Sequence, residues 1–243
     1  MRIFGLIGFP LEHSFSPRYF ESKFRREGIT DAEFHLFPLA SIHEFPLLTE
    51  TDKRIQGLAV TIPYKQEVIP FLDELDDNAK SIGAVNCIRF KNGKLTGFNT
   101  DWKGFFDSLQ PLLKPQHKSA LILGSGGGSK AVQFALNKAG LSFHVVSRYP
   151  SKGSLGYMDL NEQIMGAHKI IINCSPVGMY PRENQMPAIP FQFITPDHIC
   201  YDLIYRPEET LFLKFAKEKG ALIKNGMQML ELQAELNWKI WNQ

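Results

Sequence analysis

The chain has 243 residues, of which 44% are hydrophobic and 21% charged, so it can form one large or two small globular domains. Its lysines and arginines are scattered and its net charge is only +2, which argues against nucleic-acid binding. No apolar run approaches the roughly 20 residues of a membrane helix, and Pro10 interrupts the apolar N-terminal segment too early for a signal peptide. We therefore expect a soluble, cytoplasmic protein that binds neither nucleic acid nor membranes.

Cysteines and histidines show no spacing typical of a disulfide framework or a metal site. The three cysteines, Cys87, Cys174 and Cys200, are odd in number and form no CxxC pair. The seven histidines form no HExxH or related ligand pattern. We therefore predict reduced thiols and no bound metal.

The first hundred residues alternate predicted strands and helices. Ser16 followed by Pro17 predicts the start of a helix with Ser16 as its N-cap, and Gly28 marks its end. Asn92 and Gly93 together predict a tight hairpin turn. Strands are predicted over residues 3–8, 32–37, 56–60, 84–90 and 95–98, with short helical segments over 41–48 and from residue 63.

A second α/β half follows a predicted linker over residues 111–118. Residues 149–156 are rich in proline, glycine and serine and show no helical period. Strands are predicted over residues 120–123, 144–147, 169–173, 198–204 and 221–224, and helices over 129–138, 208–219 and 227–241. We predict two α/β domains, residues 1–102 and 103–226, with a C-terminal helix over 227–243 that packs back on the first.

A glycine-rich turn, GSGGG at residues 124–128, joins a predicted strand to a predicted helix. Glycine permits the tight turn and lets a pyrophosphate approach the helix N-terminus, where backbone N–H groups favour negative charge. The next strand ends in Arg148, where NAD-binding units carry an acidic residue, and a cation there suits the 2′-phosphate of NADP. The pattern therefore predicts a site for NADP, with a simple tight turn as the alternative. A methyltransferase that binds S-adenosylmethionine also uses a glycine turn, but an acidic residue is expected in place of Arg148.

Lys65 is the leading candidate for proton transfer. It follows Thr61 by four residues at the end of a predicted strand, where open α/β sheets place their ligands. A helical turn after Pro63 would bring Thr61 and Lys65 toward one site. The alternative is an ordinary solvated surface lysine.

For two further polar residues, the sequence leaves open whether they have a role in a site or a purely structural role. Asp101 can accept hydrogen bonds from a hydroxyl substrate and hold an ammonium group, but it is also placed to cap a helix over residues 102–109. Asn86 lies within an apolar predicted strand, where a buried amide is costly unless it is paired. It is therefore either a site residue or a satisfied core amide.

Ser14 and Ser16 lie two residues apart in a segment predicted to be extended, so their hydroxyl groups would face one side. That arrangement suits a carboxylate or a polyol, whereas the alternative for Ser16 is helix capping alone. Tyr205 and Gln233 lie in no pattern that indicates a site. On residue type alone, we expect Tyr205 to be a core tyrosine and Gln233 to lie on a helix face.

Taken together, these segments resemble the shikimate dehydrogenase family over nearly the whole chain and in the same order. The matching segments are residues 14–17 (SxSP), 60–65 (VTxPxK), 83–86 (GAVN), 97–101 (GxNTD), 124–131 (GxGGxxxA), 173–179 (resembling NATPxGM), 202–205 (DxxY) and 226–233 (GxxMLxxQ). Each motif alone is weak, but eight in order are highly specific.

The resemblance implies an N-terminal substrate domain, a Rossmann-like NADP-binding domain and an active site in the cleft between them. It implies reversible NADPH-dependent reduction of 3-dehydroshikimate to shikimate, by a monomer or a homodimer with a small-molecule substrate. Lys65 and Asp101 would be catalytic, and both would contact substrate. The implied ligands of the substrate carboxylate are Ser14, Ser16 and Tyr205, and those of its ring hydroxyls are Thr61, Asn86, Asp101 and Gln233. The implied cofactor residues are Gly124, Ser125, Gly126, Gly127 and Gly128 in the turn, Ser147, Arg148 and Lys152 at the adenosine end, and Asp77, Leu203 and Gly226 near the nicotinamide.

The chain departs from the family pattern at four places, of which Ser175 in place of threonine is the mildest. Ala59 stands where the family usually has asparagine, so one hydrogen bond to a substrate hydroxyl is expected to be missing. Ser147, Arg148 and Tyr149 replace the usual Asn-Arg-Thr, which retains the cation. Residues 148–169 are shorter than in relatives, so one βα unit of the cofactor domain is expected to be trimmed.

Two rival functions remain open on the sequence. A quinate/shikimate dehydrogenase with broader substrate or NAD use fits the alanine at position 59, although Arg148 favours NADP. A catalytically idle relative could bind a dinucleotide or a shikimate-like ligand as a sensor. Retention of both Lys65 and Asp101 speaks against that second rival, because a binder does not need a proton-transfer pair.

Overall fold

The computed structural model describes residues 1–12 and 14–243, which contain two six-stranded sheets and eight α-helices. In chain order the elements are β1 (Arg2–Gly8), α1 (Ser16–Glu27), β2 (Ala32–Pro38), α2 (Phe45–Thr51), β3 (Ile55–Val60), β4 (Glu74–Leu75), α3 (Asp77–Ile82), β5 (Cys87–Lys91), β6 (Lys94–Phe98), α4 (Asp101–Leu109), β7 (Ser119–Leu123), α5 (Gly127–Lys138), β8 (Ser142–Ser147), β9 (Leu155–Gly156), α6 (Glu162–Ala167), β10 (Ile170–Asn173), β11 (Ile199–Asp202), α7 (Leu211–Glu218), β12 (Leu222–Lys224) and α8 (Met227–Trp241). Within these described ranges, no helix is both long and apolar enough to cross a membrane.

The chain divides into two compact units. The first unit comprises Met1–Thr100 and Gln233–Gln243, and the second comprises Asp101–Leu232. Helix α8 therefore contributes residues to both units. The assignment of residues 1–102 to substrate and 103–226 to cofactor, with the C-terminal helix returning to the first domain, stays a prediction.

The first unit is built on a mixed sheet of strand order β2-β1-β3-β5-β6-β4. Strands β2, β1 and β3 are parallel, whereas β5 runs antiparallel to β3 and to β6. Side chains of α1 and α8, including Phe20 and Trp241, pack with Phe4 of β1 in one buried cluster. The Trp241 indole also donates from Nε1 to the Ile88 carbonyl at 3.0 Å, which ties the end of α8 to the sheet.

The second unit is built on an all-parallel sheet of order β12-β11-β10-β7-β8-β9. Strand β7 lies between β8, the next strand of the chain, and β10, so the strand order reverses direction at β7. Open parallel sheets bind ligands beyond the carboxyl ends of their strands at such a reversal. The turn after β7 is the glycine-rich segment, so this unit has the Rossmann-like architecture.

The predicted hairpin is confirmed. Strands β5 and β6 are joined at Asn92 and Gly93, whose φ angles of 55° and 76° both lie in the left-handed region. Asparagine and glycine tolerate that region better than other residues, and two such residues form the turn that suits the twist of paired strands.

Several local predictions were wrong. The N-cap of α1 is Phe15 with a helical backbone (φ −71°, ψ −40°), so Ser16 is the first helical residue and not the cap. Strand β5 begins at Cys87, three residues later than predicted, so Asn86 precedes the strand. Helix α4 begins at Asp101 itself, not after it. Residues 148–169 contain only short elements, namely β9, a 3-10 turn and the six-residue α6, and the expected trimming of one βα unit stays a prediction.

Candidate active site

The carboxyl ends of β1 and β3 form the edge of the first sheet where the polar candidates gather. Thr61, directly after β3, donates its backbone N–H to the Ile7 carbonyl of β1 at 3.0 Å. Val60 donates to the Asn86 carbonyl at 2.9 Å, and Asn86 donates to the Phe98 carbonyl at 3.0 Å. These backbone bonds bring Thr61 and Asn86 to the same end of the sheet, although the two residues are distant in sequence.

Lys65 lies in a series of turns over residues 62–68 and not in the regular helix predicted after Pro63. Its carbonyl accepts the Val85 N–H at 2.7 Å, which holds the turn against the residue before Asn86. The Lys65 side chain is half-buried. The backbone bonds therefore place the segments of Thr61, Lys65 and Asn86 at one end of the sheet, and a shared site of their side chains stays a prediction.

Ser14 and Ser16 are half-buried and buried, respectively, and follow β1. The segment between them is not extended, because the backbone of Phe15 is helical. The prediction that alternation along an extended chain aligns their hydroxyl groups was therefore wrong. Ser14 instead closes a turn, since its N–H donates to the Leu11 carbonyl at 3.0 Å.

Gln233 belongs to the first unit and contacts Asn86 directly. The Asn86 Nδ2 group donates to Gln233 Oε1 at 3.2 Å, and the two residues are only 2% and 7% exposed. Two neighbours complete this buried polar cluster, namely Thr100 and Asn237, which sequence reasoning missed. Asn237 lies four residues after Gln233 on α8, and this i,i+4 spacing is the sequence signal that could have identified it.

The remaining substrate candidates lie in the second unit. Asp101 is the first residue of α4, is only 5% exposed, and directly follows Thr100 in the chain. Tyr205 lies beyond the carboxyl end of β11 and is half-buried, and this burial raises the pKa of its phenol. Asp77, predicted near the nicotinamide, lies in the first unit, where it is exposed in the first turn of the six-residue α3.

The glycine-rich turn has the backbone geometry that a dinucleotide pyrophosphate needs. Gly124 has φ +109°, and a Cβ there would lie 3.2 Å from the Ser175 backbone nitrogen, so only glycine fits without strain. Gly126 is the N-cap of the twelve-residue α5, and a Cβ there would meet nothing within 4 Å. With Gly127, Gly128 and Ser125, the turn exposes a helix N-terminus that is open to an anion.

A cavity of about 330 Å³ lies beside this turn and beyond the end of β8. Its lining includes Ser125, Ser147, Tyr149 and Lys152. Ser147 Oγ accepts the Tyr149 N–H at 3.2 Å, which shapes the loop that carries the exposed Arg148. Hydroxyl groups and a lysine in a cavity next to an anion-binding helix end fit a ribose with a 2′-phosphate, so the residues present fit NADP.

Leu203 and Gly226 meet at the other side of the turn. A Cβ on Gly226 would lie 2.1 Å from the Leu203 carbonyl oxygen, and one on Gly128 would lie 3.3 Å from Leu203 Cδ1. Gly226 is therefore required for close backbone packing whatever its role toward a cofactor. The structure brings Leu203, Gly226 and Gly128 together at the carboxyl end of the second sheet.

A buried carboxyl group that sequence reasoning missed lies at the same sheet end. Asp202 is fully buried and accepts hydrogen bonds from Thr210 Oγ1 at 2.7 Å, Ile204 N at 3.0 Å and Asn173 Nδ2 at 3.1 Å. Burial raises the pKa of Asp202 to about 6, and the three hydrogen bonds partly oppose that rise. In the part of the chain that the structure describes, no group of three or more histidine, cysteine or acidic side chains could hold a metal ion.

The fold and these two sheet ends define a two-unit α/β protein with a Rossmann-like dinucleotide-binding unit. Residues 6–88 match the family model of the shikimate dehydrogenase substrate binding domain. The NADP(+)-dependent shikimate dehydrogenase of Desulforamulus reducens is 37% identical over 266 aligned residues, which cover 99% of this chain and 89% of that protein. The chain belongs to the shikimate dehydrogenase family.

Solved structures agree with that membership. The shikimate dehydrogenase of Aquifex aeolicus has a TM-score of 0.89 and 37% identity, with 100% of this chain and 92% of that chain covered. The enzyme of Thermus thermophilus, solved in complex with NADP(H) and shikimate, has a TM-score of 0.88 and 30% identity, with 99% and 93% covered.

Proposed function

We propose that this protein catalyses the reversible, NADPH-dependent reduction of 3-dehydroshikimate to shikimate, a step of aromatic amino acid biosynthesis through chorismate. The observation that carries the proposal is the placement of Lys65 beside Asn86 at one sheet end, held by the Val85 N–H bond to the Lys65 carbonyl. In this proposal the Lys65 ammonium group acts on a substrate whose ring hydroxyl is bound by the buried Asn86 amide. Family membership and an NADP-compatible turn in the second unit support the same activity.

Lys65 moves the proton. In the reductive direction its ammonium group donates to the carbonyl oxygen of the substrate, and in the oxidative direction its amine accepts the hydroxyl proton. Asp101 accepts a hydrogen bond from the reacting hydroxyl and stabilises the charged lysine. The bound nicotinamide supplies or accepts the hydride.

The other polar residues orient the ring. Thr61, Asn86 and Gln233 bind its hydroxyl groups, and fixed partners of this kind reduce the entropy lost on reaching the reactive geometry. The substrate carboxylate is bound by Ser14, Ser16 and Tyr205. Toward NADP, the helix N-terminus at residues 124–128 binds the pyrophosphate, Arg148, Ser147 and Lys152 bind the 2′-phosphate end, and Leu203, Gly226 and Asp77 lie near the nicotinamide.

One assay tests the proposal. Purified protein is mixed with shikimate and either NADP⁺ or NAD⁺, and reduced nicotinamide is followed by its absorbance. We expect rapid reduction with NADP⁺ and slower reduction with NAD⁺. Binding of shikimate without any reduction of either nucleotide would instead indicate the catalytically idle relative.

A second candidate, a quinate/shikimate dehydrogenase of broader specificity, is favoured by one observation. Ala59 is buried in an apolar cluster with Phe4, Leu6 and Cys87, so position 59 offers no polar group to a substrate hydroxyl. The same assay with quinate in place of shikimate distinguishes the two. Comparable kcat/KM values for both substrates would establish the broader enzyme.

We further propose a cytoplasmic location and a monomer or homodimer in solution. Reduced thiols fit that location, since Cys87 and Cys200 are buried and Cys87, Cys174 and Cys200 form no disulfide. Light scattering of the purified protein measures the oligomeric state, and a mass of three or more chains would contradict this part of the proposal.

A further inference from the structure

Four buried polar side chains of the first unit form a closed ring of hydrogen bonds. Asn86 Nδ2 lies 2.9 Å from Thr100 Oγ1 and 3.2 Å from Gln233 Oε1. Thr100 Oγ1 lies 2.6 Å from Asn237 Oδ1, and Asn237 Nδ2 lies 3.2 Å from Gln233 Oε1. Exposure is 2% for Asn86, 4% for Thr100, 7% for Gln233 and 1% for Asn237.

One backbone group determines the orientation of every amide in this ring. The Thr100 N–H donates to Asn86 Oδ1 at 2.6 Å, and a backbone N–H can only donate. Asn86 must therefore direct its Nδ2 group toward Thr100 Oγ1 and Gln233. Because Asn86 offers a donor there, Gln233 must present its oxygen.

The same logic closes the ring through Asn237. Gln233 Oε1 requires a donor from Asn237, so Asn237 directs Nδ2 toward it and Oδ1 toward Thr100. The Thr100 hydroxyl then has to donate its only proton to Asn237 Oδ1. A rotation of the Gln233 amide would set its NH₂ group against two other donors, so the oxygen of Gln233 is held in the ring and its Nε2 group is directed elsewhere as a donor.

We infer that Asn237 and Thr100 are positioning residues that hold the Gln233 amide with its oxygen inside the ring, so that it is the nitrogen and not the oxygen that faces a substrate hydroxyl when substrate binds. This inference rests on the proposed function and extends it to two residues to which neither the family resemblance nor the proposed mechanism gives a role. The oxygen of a substrate hydroxyl can accept a hydrogen bond from Gln233 Nε2 while the same hydroxyl donates its proton to a carboxylate group. Without Asn237 the Gln233 oxygen retains only one of its two donors, Asn86 Nδ2, so rotation of the Gln233 amide is opposed less strongly.

The first test replaces ring members by apolar residues of similar shape. Asn237→Leu and Thr100→Val each break the ring, whereas Thr100→Ser keeps the hydroxyl group and is the matched control. We expect the two apolar variants to raise the shikimate dissociation constant and KM about tenfold, the effect of about one net hydrogen bond. We expect kcat to change much less and Thr100→Ser to restore near-normal values. A fall in kcat as large as the rise in KM would overturn the inference. A Thr100→Ser variant as impaired as Thr100→Val would also overturn it.

A double-mutant cycle separates positioning from general damage. If Asn237 acts only through Gln233, Asn237→Leu should cause little further loss of shikimate affinity in a Gln233→Met background. Calorimetric titration of shikimate into the protein without nucleotide measures this affinity, and thermal unfolding checks that each variant is folded. A full additional loss in the Gln233→Met background would show that Asn237 acts independently and would contradict the inference.

Side-chain amide NMR keeps the inference testable without a ligand. In ¹⁵N-labelled protein the ring should give distinct, slowly exchanging NH₂ signals for Asn86 and Asn237, whose nitrogens donate within it, and in Thr100→Val these signals should exchange faster or merge. If the NH₂ signals of Thr100→Val were the same as those of the wild type, the claim that the ring orients these amides would be wrong. Failure of the wild-type protein to bind shikimate would instead overturn the proposed function, and the NMR result would still decide whether the ring orients Gln233.

Discussion

At the scale of single residues, Lys65 is proposed to transfer a proton, a role that its neighbours among the described residues at this sheet end do not suit. Thr61 and Asn86, its neighbours there, have no proton that they can transfer at neutral pH. General acid–base catalysis by a placed side chain contributes a factor of roughly 10² to 10⁴. The amide and hydroxyl groups that bind the substrate do not depend on the lysine charge, so binding and turnover separate cleanly at this position.

We therefore expect Lys65→Ala to lower kcat about 10²- to 10⁴-fold while leaving shikimate affinity nearly unchanged. Steady-state kinetics and equilibrium titration of shikimate measure the two effects. Lys53→Ala, at an exposed position of the same unit, is the matched control and should behave like the wild type. Near-normal turnover of Lys65→Ala would mean that another group transfers the proton.

We predict that Arg148 determines the preference between the two nicotinamide cofactors. It is exposed at the end of β8 beside a cavity with a lysine and several hydroxyl groups, so its charge can meet a 2′-phosphate. Arg148→Asp replaces an attraction by a repulsion, and we expect NADP⁺ to bind about 10- to 100-fold more weakly, the usual value of a charge-assisted hydrogen bond. NAD⁺ lacks the phosphate and should bind almost as before.

Fluorescence titration of both nucleotides measures this difference. Lys214→Asp makes the same kind of charge change at an exposed position of α7, away from the cavity, and is the control. Equal losses of NADP⁺ and NAD⁺ affinity in Arg148→Asp would remove the phosphate role of Arg148.

At the scale of elements, Asp202 joins three parts of the second unit. Its carboxyl group at the end of β11 accepts from Asn173 at the end of β10 and from Thr210, which also caps α7. Burial raises its pKa to about 6, above the ordinary value near 3.9 of an unfolded aspartate. The folded protein therefore retains this proton in a pH range where the unfolded chain releases it.

The free energy of unfolding therefore depends on pH through Asp202. Between pH 4 and pH 6 the folded state binds more protons at Asp202 than the unfolded state, so this group lowers stability as the pH rises. Asp202→Asn keeps the acceptor oxygen and removes the titration. Relative to the wild type, the variant should gain up to about 3 kcal/mol in free energy of unfolding from pH 4 to pH 7.

Urea denaturation of both proteins at several pH values measures the difference. Thr210→Ser, which keeps the hydroxyl donor and the cap, should retain the wild-type pH dependence. A constant difference between Asp202→Asn and the wild type across this range would show that the carboxyl group does not titrate there.

Elements with a strong local pattern were predictable from sequence, and long-range pairings were not. The period of apolar residues located α8 over residues 227–241, and the Asn92-Gly93 pair located the hairpin, because both signals lie within a few neighbouring residues. The helical backbone of Phe15 was missed because the segment before α1 has no period. The i,i+4 spacing places Asn237 on the same helix face as Gln233, but its partner Thr100 is 137 residues away, and no local pattern shows that this face meets a distant hydroxyl group.

The same distinction between local patterns and long-range pairings applies to the candidate site. Lys65, Thr61 and the glycine-rich turn could be located because each follows a predicted parallel strand, and such strands direct their carboxyl ends to one edge. The roles of Ser14, Tyr205 and Gln233 had no sequence logic beyond the family resemblance. The buried network of Asp202 has no sequence signal of its own, because a lone aspartate after a strand is usually solvated.

At the scale of the whole molecule, the two units carry different predicted ligands. Residues 1–100 and 233–243 contain Thr61, Lys65, Asn86 and Gln233, whereas residues 101–232 contain the glycine-rich turn and Arg148. A ligand that binds only the folded form stabilises the part of the protein that it contacts, by about 2.7 kcal/mol at a concentration of 100 times its dissociation constant. Amide hydrogen exchange reports such stabilisation region by region.

We expect NADP⁺ alone to slow exchange mainly within residues 101–232, most strongly at the start of α5 and in the loop after β8. Shikimate alone should slow exchange at the ends of β1 and β3, at residues 83–86 and in the part of α8 that begins at Gln233. Mass spectrometry of peptides from the protein with each ligand, and with both, measures these patterns. The Arg148→Asp variant with NADP⁺ is the control and should lose the protection after β8 first. Protection of residues 1–100 by NADP⁺ alone, with none in residues 101–232, would reverse the assignment of the two units, because bound nucleotide must slow exchange where its phosphates accept from backbone N–H groups.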